Sequence, residues 1–393
     1  MDMKTIKQSA KAIQPRLLQT RRFLHAHAET GFAVTTTQAY IRKRLTELGY
    51  TPRPMGKNGT VAEIGTGKTL LLRADVDALP IQEKTGLPFA CLSGNMHACG
   101  HDFHATMLLG AAELCKRHEK HLKGKIRFLF QPAEEVLLGA NDCVENGVLD
   151  GVDGAVMLHV LTALPMPVGT CIIAEGTSAP SADYFTVKVQ GKACHGAAAQ
   201  NGVDALTIGA RILLALEELI AKETPACARA KLTVGKMYGG ESGNALAGET
   251  TIEGTLRAYG ETVRADIKRR IDELAKGIAK TFRGKAKCTL QGGCPALIND
   301  REMVKLAYAT LRRAFAKNKV LLAGALQGGV TAKSGGSEDF SYIAQRVPSV
   351  MIGLCAGNDK DGYVYPLHHE KADFDERVLW KGALAYAVFG LKM

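Results

Sequence analysis

The sequence lacks the long apolar runs of a membrane protein. Although 46% of its 393 residues are hydrophobic, no stretch approaches the roughly 20 consecutive apolar residues that cross a bilayer. The N-terminal segment also lacks the apolar core of a secretory signal peptide. We therefore expect a cytoplasmic protein that does not use a membrane as a partner.

The sequence also lacks the regularly spaced cysteines of a disulfide-bonded protein. The ten cysteines are spread from residue 91 to residue 355 without a repeated spacing, which is typical of reduced thiols in a cytoplasm and not of a disulfide framework. Most of them are expected to be small core residues. Cys99 is of special interest because it stands among three histidines in the segment HACGHDFHA, residues 97–105.

There is little sign of a nucleic-acid interface. The formal net charge of +11 favours anionic partners in general. The basic residues, however, are scattered over predicted helices such as IRKRLTELGY, and no basic stripe is interleaved with aromatic side chains. We therefore expect no nucleic-acid partner. Small carboxylate substrates fit the same positive charge.

The length and the order of hydrophobic patterns predict two domains. Residues 1–181 alternate apolar strands with amphipathic helices, which indicates an α/β domain with a mostly parallel sheet flanked by helices. Residues 182–292 change to the order β-α-β-β-α-β, typical of a ferredoxin-like α+β domain. Residues 293–393 return to the first pattern. The smaller domain is therefore predicted as an insertion into the larger one.

Acidic and histidine side chains follow three predicted strands of the larger domain. The run TLLLRADV delivers Asp75 and is followed by Asp77, GKIRFLFQPAEE ends in Glu134 and Glu135, and DGAVMLHV contains His159. Ligands of open α/β sheets bind beyond the carboxyl ends of the strands. We therefore expect these side chains to line a single site.

Three further candidates have metal-binding side chains. Cys99 and His101 are two residues apart in ACGH, where Gly100 permits a sharp turn, and His368 lies in PLHHE. Each of them, taken singly, is as well explained by a structural role. Together with Glu135 and His159 they form a set of one thiolate, three imidazoles and a carboxylate, which suits one or two ions of the zinc or manganese class.

These residues belong to segments that occur in a characteristic order: RRFLHAHAETGF, LLRADVDALPI, EKTGLPF, HACGHDFHATMLLGAA, FLFQPAEE, LHV, GKACHGA, SEDFSY and LHHEKADFDE. In this order they resemble the N-acyl-amino-acid amidohydrolases, which include hippurate hydrolases, aminoacylase-like carboxypeptidases and auxin-conjugate hydrolases. The resemblance covers nearly the whole chain. It implies a dinuclear metallopeptidase-like fold with two metal ions in the larger domain, and a smaller domain that acts as a lid and dimerisation surface.

Position by position, the resemblance implies a set of five metal ligands: Cys99, His101, Glu135, His159 and His368. Cys99 would bridge the two ions, which would be Zn²⁺ or Mn²⁺, with Co²⁺ and Ni²⁺ as further candidates. Glu134 would act as general base and acid. Asp77 would orient the ligands. His104 would either brace the metal-binding loop or contact the substrate, and bracing is favoured because ligating histidines need supporting partners.

The resemblance also implies substrate contacts in the inserted domain. His195 would stabilise the oxyanion, either in its own subunit or across a dimer, while Asn244 and Arg257 would hold a substrate carboxylate. The chain departs from the common pattern around these residues, because Ala199 and Gln200 replace a proline and a histidine and NALAG replaces NVIPD. A narrower or unusual amino-acid preference is therefore expected.

The function expected from the sequence is hydrolysis of the amide bond of an N-acyl amino acid by a metal-activated water, in a homodimer formed through the inserted domain. A dipeptidase or carboxypeptidase on the same dinuclear site is one alternative. A second is a thiol enzyme in which Cys99 is the nucleophile and His101 its partner. A third is a catalytically silent metal-binding protein, against which the extra carboxylate of Glu134 argues.

Overall fold

The computed structural model describes residues 2–225, 228–323 and 336–392; Cys227 lies outside them. Contacts within the chain divide these residues into two units. The larger unit comprises residues up to 178, residues 297–323 and residues from 339 onward, and the inserted unit comprises residues 179–296 and 336–338, without the undescribed positions.

The helices and strands alternate over much of the chain. The helices of the described residues are α1 (Met3–Ala12), α2 (Gln14–Ala26), α3 (Thr35–Glu47), α4 (His101–Arg117), α5 (Gly139–Glu145), α6 (Ala205–Glu223), α7 (Glu261–Thr281), α8 (Arg301–Ala314), α9 (Ser341–Ala344) and α10 (Leu379–Lys392). The strands are β1 (Arg53–Met55), β2 (Gly59–Ile64), β3 (Thr69–Asp75), β4 (Lys125–Gln131), β5 (Val152–Leu161), β6 (Cys171–Ile173), β7 (Gly176–Ala179), β8 (Ala182–Gln190), β9 (Cys194–His195), β10 (Ala230–Gly239), β11 (Ala245–Leu246), β12 (Glu249–Ala258), β13 (Lys285–Cys294), β14 (Leu297–Asn299), β15 (Val320–Leu322) and β16 (Ser349–Cys355).

The main sheet of the larger unit has the strand order β1-β2-β4-β3-β5-β16-β6-β15. Its central strands β4, β3, β5 and β16 run parallel to one another, whereas β1 and β2 are antiparallel additions at one edge. Every residue of β3 is buried, as expected for a parallel strand that is covered on both faces. This confirms the predicted α/β fold with a mostly parallel sheet flanked by helices.

The C-terminal helix α10 packs closely against the sheet and α4. A side chain at Gly382 would collide with Met107 of α4, because a Cβ there would lie 1.8 Å from the methionine sulfur. The hydroxyl of Tyr386 donates to the carbonyl of Arg73 at 2.6 Å and accepts from the amide of Leu158 at 2.8 Å. Helix α10 therefore ties β3 to β5, the two strands that lead to the candidate site.

The inserted unit contains an antiparallel sheet in the order β10-β12-β8-β13. Helices α6 and α7 contribute, with β8 and β12, to one apolar core. Asp204 begins α6 as an N-cap, since its carboxylate accepts from the amides of Leu206 and Thr207. The chain order β8-α6-β10-β12-α7-β13 and this strand order are those of the ferredoxin-like α+β fold that the sequence predicts.

Two further features concern the helices and the cysteines of the described residues. None of the described helices combines the length and the apolar character needed to cross a membrane. The nine cysteines among the described residues are free thiols. Most of them are buried, as small core residues are expected to be.

Candidate metal centre

Side chains from separate segments of the larger unit converge beyond the carboxyl ends of its central strands. Asp75 is the last residue of β3, Glu134 and Glu135 follow β4, and His159 lies near the end of β5. The carboxyl ends of parallel strands meet at one edge of the sheet, which places these residues near the start of α4 at His101. The position of the cluster therefore follows from the strand order.

A glycine allows the loop before α4 to approach β5. Gly100 is left-handed, with a φ of 81°, and a Cβ at this position would lie 2.4 Å from a methyl carbon of Val160. Only glycine is compatible with both the conformation and the close approach. As a result, the sulfur of Cys99 lies 3.5 Å from Nε2 of His159.

Two groups of potential ligand atoms share Cys99. The first group comprises Cys99, His101 and His159, and the second comprises Cys99, Glu135 and His368. Within each group the ligand atoms all lie within 4.8 Å of one another. The structure thus brings together the five side chains that the resemblance implies as ligands, with the thiol common to both groups, as required for a bridge between two cations.

The surroundings of His101 fit a divalent cation. Its Nδ1 donates to the carbonyl of Asp77 at 2.8 Å, whereas its buried Nε2 has no hydrogen-bond partner among the described residues. Carboxylate oxygens of Glu134 and Glu135 lie 3.9 and 3.8 Å from this Nε2. These distances are too long for hydrogen bonds, but two atoms bound to one cation at about 2.1 Å each lie roughly 3.0 to 4.2 Å apart.

The electrostatics of the centre also favour a cation. Burial lowers the pKa of His101, but the charge of Asp75, together with the contacts of the ring to Cys99 and Asp77, outweighs burial and holds that pKa well above its usual range. Burial, assisted by the charge of Glu135, raises the pKa of the Cys99 thiol to about 12. A divalent cation stabilises buried carboxylates and a thiolate together. The donor set therefore fits a bound divalent ion.

Asp77 holds three of the candidate residues in place. Its carboxylate accepts from the backbone amide of Glu134 at 2.9 Å and from that of Glu135 at 3.2 Å. Its carbonyl accepts from His101, which fixes the ring so that Nε2 faces the centre. These contacts support the orienting role predicted for Asp77.

Strained backbone surrounds the two glutamates. Ala133 and Leu137 have left-handed φ angles of 59° and 58°, and His368 has a φ of 66°. Such conformations are uncommon for residues other than glycine and cost of the order of 1–3 kcal/mol each. The amide of Leu137 donates to the carbonyl of Glu134 at 2.7 Å, which closes a tight turn around Glu135. Strain of this kind is typical of functional sites.

His104 lies behind the centre and both of its ring nitrogens are engaged. Nδ1 donates to Asp75 at 2.5 Å, and Nε2 accepts from the amide of Val160 at 2.8 Å. Burial lowers the pKa of His104 to about 4, so the ring is neutral at neutral pH. His104 therefore connects β3 to the end of β5, and the bracing of the metal-binding loop stays a prediction.

The remaining predicted site residues belong to the inserted unit. His195 on β9 pairs with Ala245 on β11, and the amide of Gly196 donates to the carbonyl of Asn244 at 2.7 Å. His195 and Asn244 are therefore neighbours. Arg257 lies on β12, where its guanidinium lies over the ring of Tyr184 at 5.9 Å from the ring centroid. The substrate contacts of these three residues remain predictions.

A charged side chain behind the centre, Arg73, is not among the residues that the sequence singles out. Arg73 is fully buried and donates to Asp75 at 2.6 Å and to Asp339 at 2.7 Å. The amide of Asp339 in turn lies 3.4 Å from a carboxylate oxygen of Glu134. A signal was available, since an arginine inside the apolar run LLLRADV needs a buried carboxylate partner. One partner, Asp75, lies in the same run, whereas the other, Asp339, is distant in sequence.

Comparisons with known proteins agree on one family. Residues 71–391 match the family model for peptidase family M20/M25/M40. An N-acetyl-L-cysteine deacetylase of Bacillus subtilis (strain 168) is 36% identical over 392 residues, which cover 97% of this chain and 90% of that protein. The IAA-amino acid hydrolase ILR1-like 2 of Arabidopsis thaliana is 32% identical over 379 residues, which cover 94% of this chain and 83% of that protein.

A solved structure is similar over almost the full length. It is the crystal structure of the Bacillus subtilis YXEP protein, which its description calls a dinuclear metal-binding peptidase of the M20 family. The TM-score is 0.82 at 30% sequence identity, with 97% of this chain and 98% of that chain covered. The similarity therefore includes both the main sheet and the inserted unit.

Proposed function

The chain belongs to peptidase family M20/M25/M40 and is a hydrolase of amide bonds, and on that premise we propose that it hydrolyses N-acyl amino acids at a dinuclear metal centre. The observation that carries the proposal is the sharing of Cys99 by two groups of ligand atoms, with the carboxylate of Glu134 beside them. One glutamate of the pair is assigned to the ions and its neighbour to proton transfer.

The five residues implied by the resemblance are assigned as the ligands: Cys99, His101, Glu135, His159 and His368. When bound, the ions supply Lewis acidity, which acidifies water and polarises the carbonyl of the substrate. Glu134 accepts a proton from the attacking water and delivers it to the nitrogen of the departing amino acid. Asp77 holds the backbone of Glu134 throughout, since its carboxylate accepts from the amide of that residue.

The substrate class is supported by relatives and by the inserted unit. The name N-acetyl-L-cysteine deacetylase refers to the removal of an acetyl group from an amino acid. Arg257 and Asn244 are assigned to the free carboxylate of such a substrate, because a guanidinium matches a carboxylate in shape and charge. His195 is assigned to the oxyanion that forms at the carbonyl.

Further properties belong to the same proposal. Zn²⁺ or Mn²⁺ is proposed as the physiological ion, since a mixed set of thiol, imidazole and carboxylate donors accepts both. We assign the protein to the cytoplasm, in keeping with its free thiols. A homodimer formed through the inserted unit, with this unit as a lid, completes the proposal.

A matched pair of substrates tests the substrate class. N-acetyl-L-alanine and glycyl-L-alanine differ by one amino group on the acyl side, so they separate an acylase from a dipeptidase. With metal ions supplied, we expect kcat/KM to be at least about tenfold higher for the acetyl compound, a ratio within the range that one pocket contact provides. N-benzoyl amino acids then define the size of the acyl pocket.

The opposite preference would identify a dipeptidase on the same metal centre. Absence of turnover on the whole panel, in a protein that carries its full complement of metal, would instead identify a metal-binding protein without catalytic activity. Both outcomes contradict the proposed substrate class.

A further inference from the structure

A buried chain of charged side chains lies behind the loop that carries Cys99 and His101. Arg21 and His25 are one turn apart on α2 and face the start of α4. Nε of Arg21 and Nδ1 of His25 both donate to Oδ2 of Asp102, at 2.9 and 2.8 Å. Asp102 directly follows His101, so two side chains of α2 hold the first turn of α4 beside the candidate ligands.

Glu83 continues this chain into a neighbouring loop. Nε2 of His25 donates to one carboxylate oxygen of Glu83 at 3.1 Å, and the hydroxyl of Thr85 donates to the same oxygen. The other oxygen accepts from the amide of Cys91 at 2.8 Å. The Glu83 carboxylate therefore organises residues 83–91 around itself.

His25 is positively charged in this environment. Burial alone would lower its pKa, but the hydrogen bonds to Asp102 and Glu83 outweigh burial and raise the pKa of His25 to about 9. The imidazolium thus donates from both ring nitrogens to two carboxylates on different segments. It acts as a bridge between the start of α4 and the loop at Glu83.

The same loop contacts the segment that carries the last candidate ligand. The amide of Lys84 donates to the carbonyl of Glu370 at 2.8 Å, and the two side chains form an ion pair at 2.9 Å. His368, two residues before Glu370, donates from its amide to the carbonyl of Ala98 at 3.0 Å. Glu83 is therefore connected to both segments that contribute to the centre, one through His25 and one through its neighbour Lys84.

Fold stability alone is a weak reason for such a network. Buried ion pairs lose hydration, and apolar residues of similar volume often replace them without loss of stability. Groups that support metal ligands from behind, by contrast, fix the orientation of the ligands and commonly change metal affinity when they are removed. The network contacts the residue next to His101 and the segment next to His368, which is where such support is needed.

We propose that Glu83 is a positioning residue of the metal centre. Through His25 and Asp102 it fixes the start of α4, and through Lys84 it fixes the loop of His368. It thereby sets the spacing of the two ligand groups that share Cys99. The inference depends on the metal centre and not on the identity of the substrate. Its test is therefore metal binding, which remains informative whatever the substrate proves to be.

Glu83→Gln keeps the shape of the side chain and removes its charge. In the full chain, we expect the dissociation constants for Mn²⁺ and Zn²⁺, measured by competition with a chromophoric chelator, to rise roughly tenfold or more. We also expect the absorption spectrum of the Co²⁺-loaded protein to change, because it reports the geometry of the ligands. Thermal unfolding of the metal-free protein shows whether the variant is folded.

Glu63→Gln is the matched control in the same unit. Glu63 pairs with Lys125 at 2.9 Å and with Arg127 at 2.6 Å, at the opposite end of β4 from the centre. This variant removes the same charge from a carboxylate that forms ion pairs away from the centre, and it is expected to keep the metal affinity and the cobalt spectrum of the wild type. Equal effects of the two substitutions, or no effect of Glu83→Gln on either readout, would overturn the proposal.

A second variant covers the case in which Glu83→Gln fails to fold. Thr85→Val removes one hydrogen bond to the Glu83 carboxylate and preserves the volume of the side chain. It is expected to weaken metal binding in the same direction with a smaller amplitude. Unchanged affinity together with an unchanged cobalt spectrum in this variant would contradict the role of Glu83.

Discussion

Glu134→Gln is expected to lower kcat by roughly 10³-fold, within the usual contribution of a general base and acid, while the metal content stays at the wild-type level. Glutamine has the same size as glutamate and can still lie beside His101, but it cannot accept a proton from water at neutral pH. Both expectations can be tested on one preparation, by measuring the turnover of an N-acyl amino acid and the number of metal ions bound per chain.

The neighbouring residue provides a matched control for this experiment. Glu135→Gln is the same chemical change one position further along the same turn. Both glutamates form a group of potential ligands with His101, but of the two only Glu135 also groups with Cys99 and His368. This variant is expected to lose bound metal, and with it turnover. Metal content that is unchanged in Glu134→Gln and reduced in Glu135→Gln would therefore distinguish the proton-transfer role of Glu134 from the ligand role of Glu135. Near-normal turnover in Glu134→Gln would assign the proton transfer to another group.

The location of the centre could be predicted from the sequence because it depends on strand ends. Asp75, Glu134 and His159 each follow or end an apolar run, and the main sheet places those ends side by side. The hydrophobic pattern was likewise enough to predict the ferredoxin-like fold of the inserted unit, because its order of strands and helices permits few topologies. These features depend on local patterns along the chain, so one sequence is enough to recognise them.

The support behind the centre could not be predicted in the same way. Arg21 and Asp102 are 81 residues apart, and Arg73 and Asp339 are 266 residues apart. A buried charged residue indicates that it has a partner of opposite charge, but the local sequence pattern does not show which residue that partner is. The left-handed conformation of Leu137 has no local signal either, because glycine or asparagine is the residue expected there. Such features depend on the tertiary structure.

Removal of divalent ions is expected to abolish turnover, and addition of Mn²⁺, Zn²⁺ or Co²⁺ is expected to restore it. The proposed mechanism explains this expectation, since its nucleophile is a water that requires a bound divalent ion to be activated. A thiol enzyme would behave differently, because Cys99 would attack the substrate directly and chelation would leave it active. Turnover measured before chelation, after chelation and after re-addition of each ion distinguishes the two mechanisms.

The variant Cys99→Ser provides a second test that distinguishes the metal mechanism from the thiol mechanism. Burial raises the pKa of the Cys99 thiol to about 12, so without a cation little thiolate exists at neutral pH to act as a nucleophile. If Cys99 held both ions, its replacement would instead be expected to reduce the number of ions bound per chain. Cys115→Ser makes the same change at a buried residue of α4, and its metal content should equal that of the wild type. Loss of turnover in Cys99→Ser with undiminished metal would favour the thiol mechanism, because only there does the sulfur act without holding an ion.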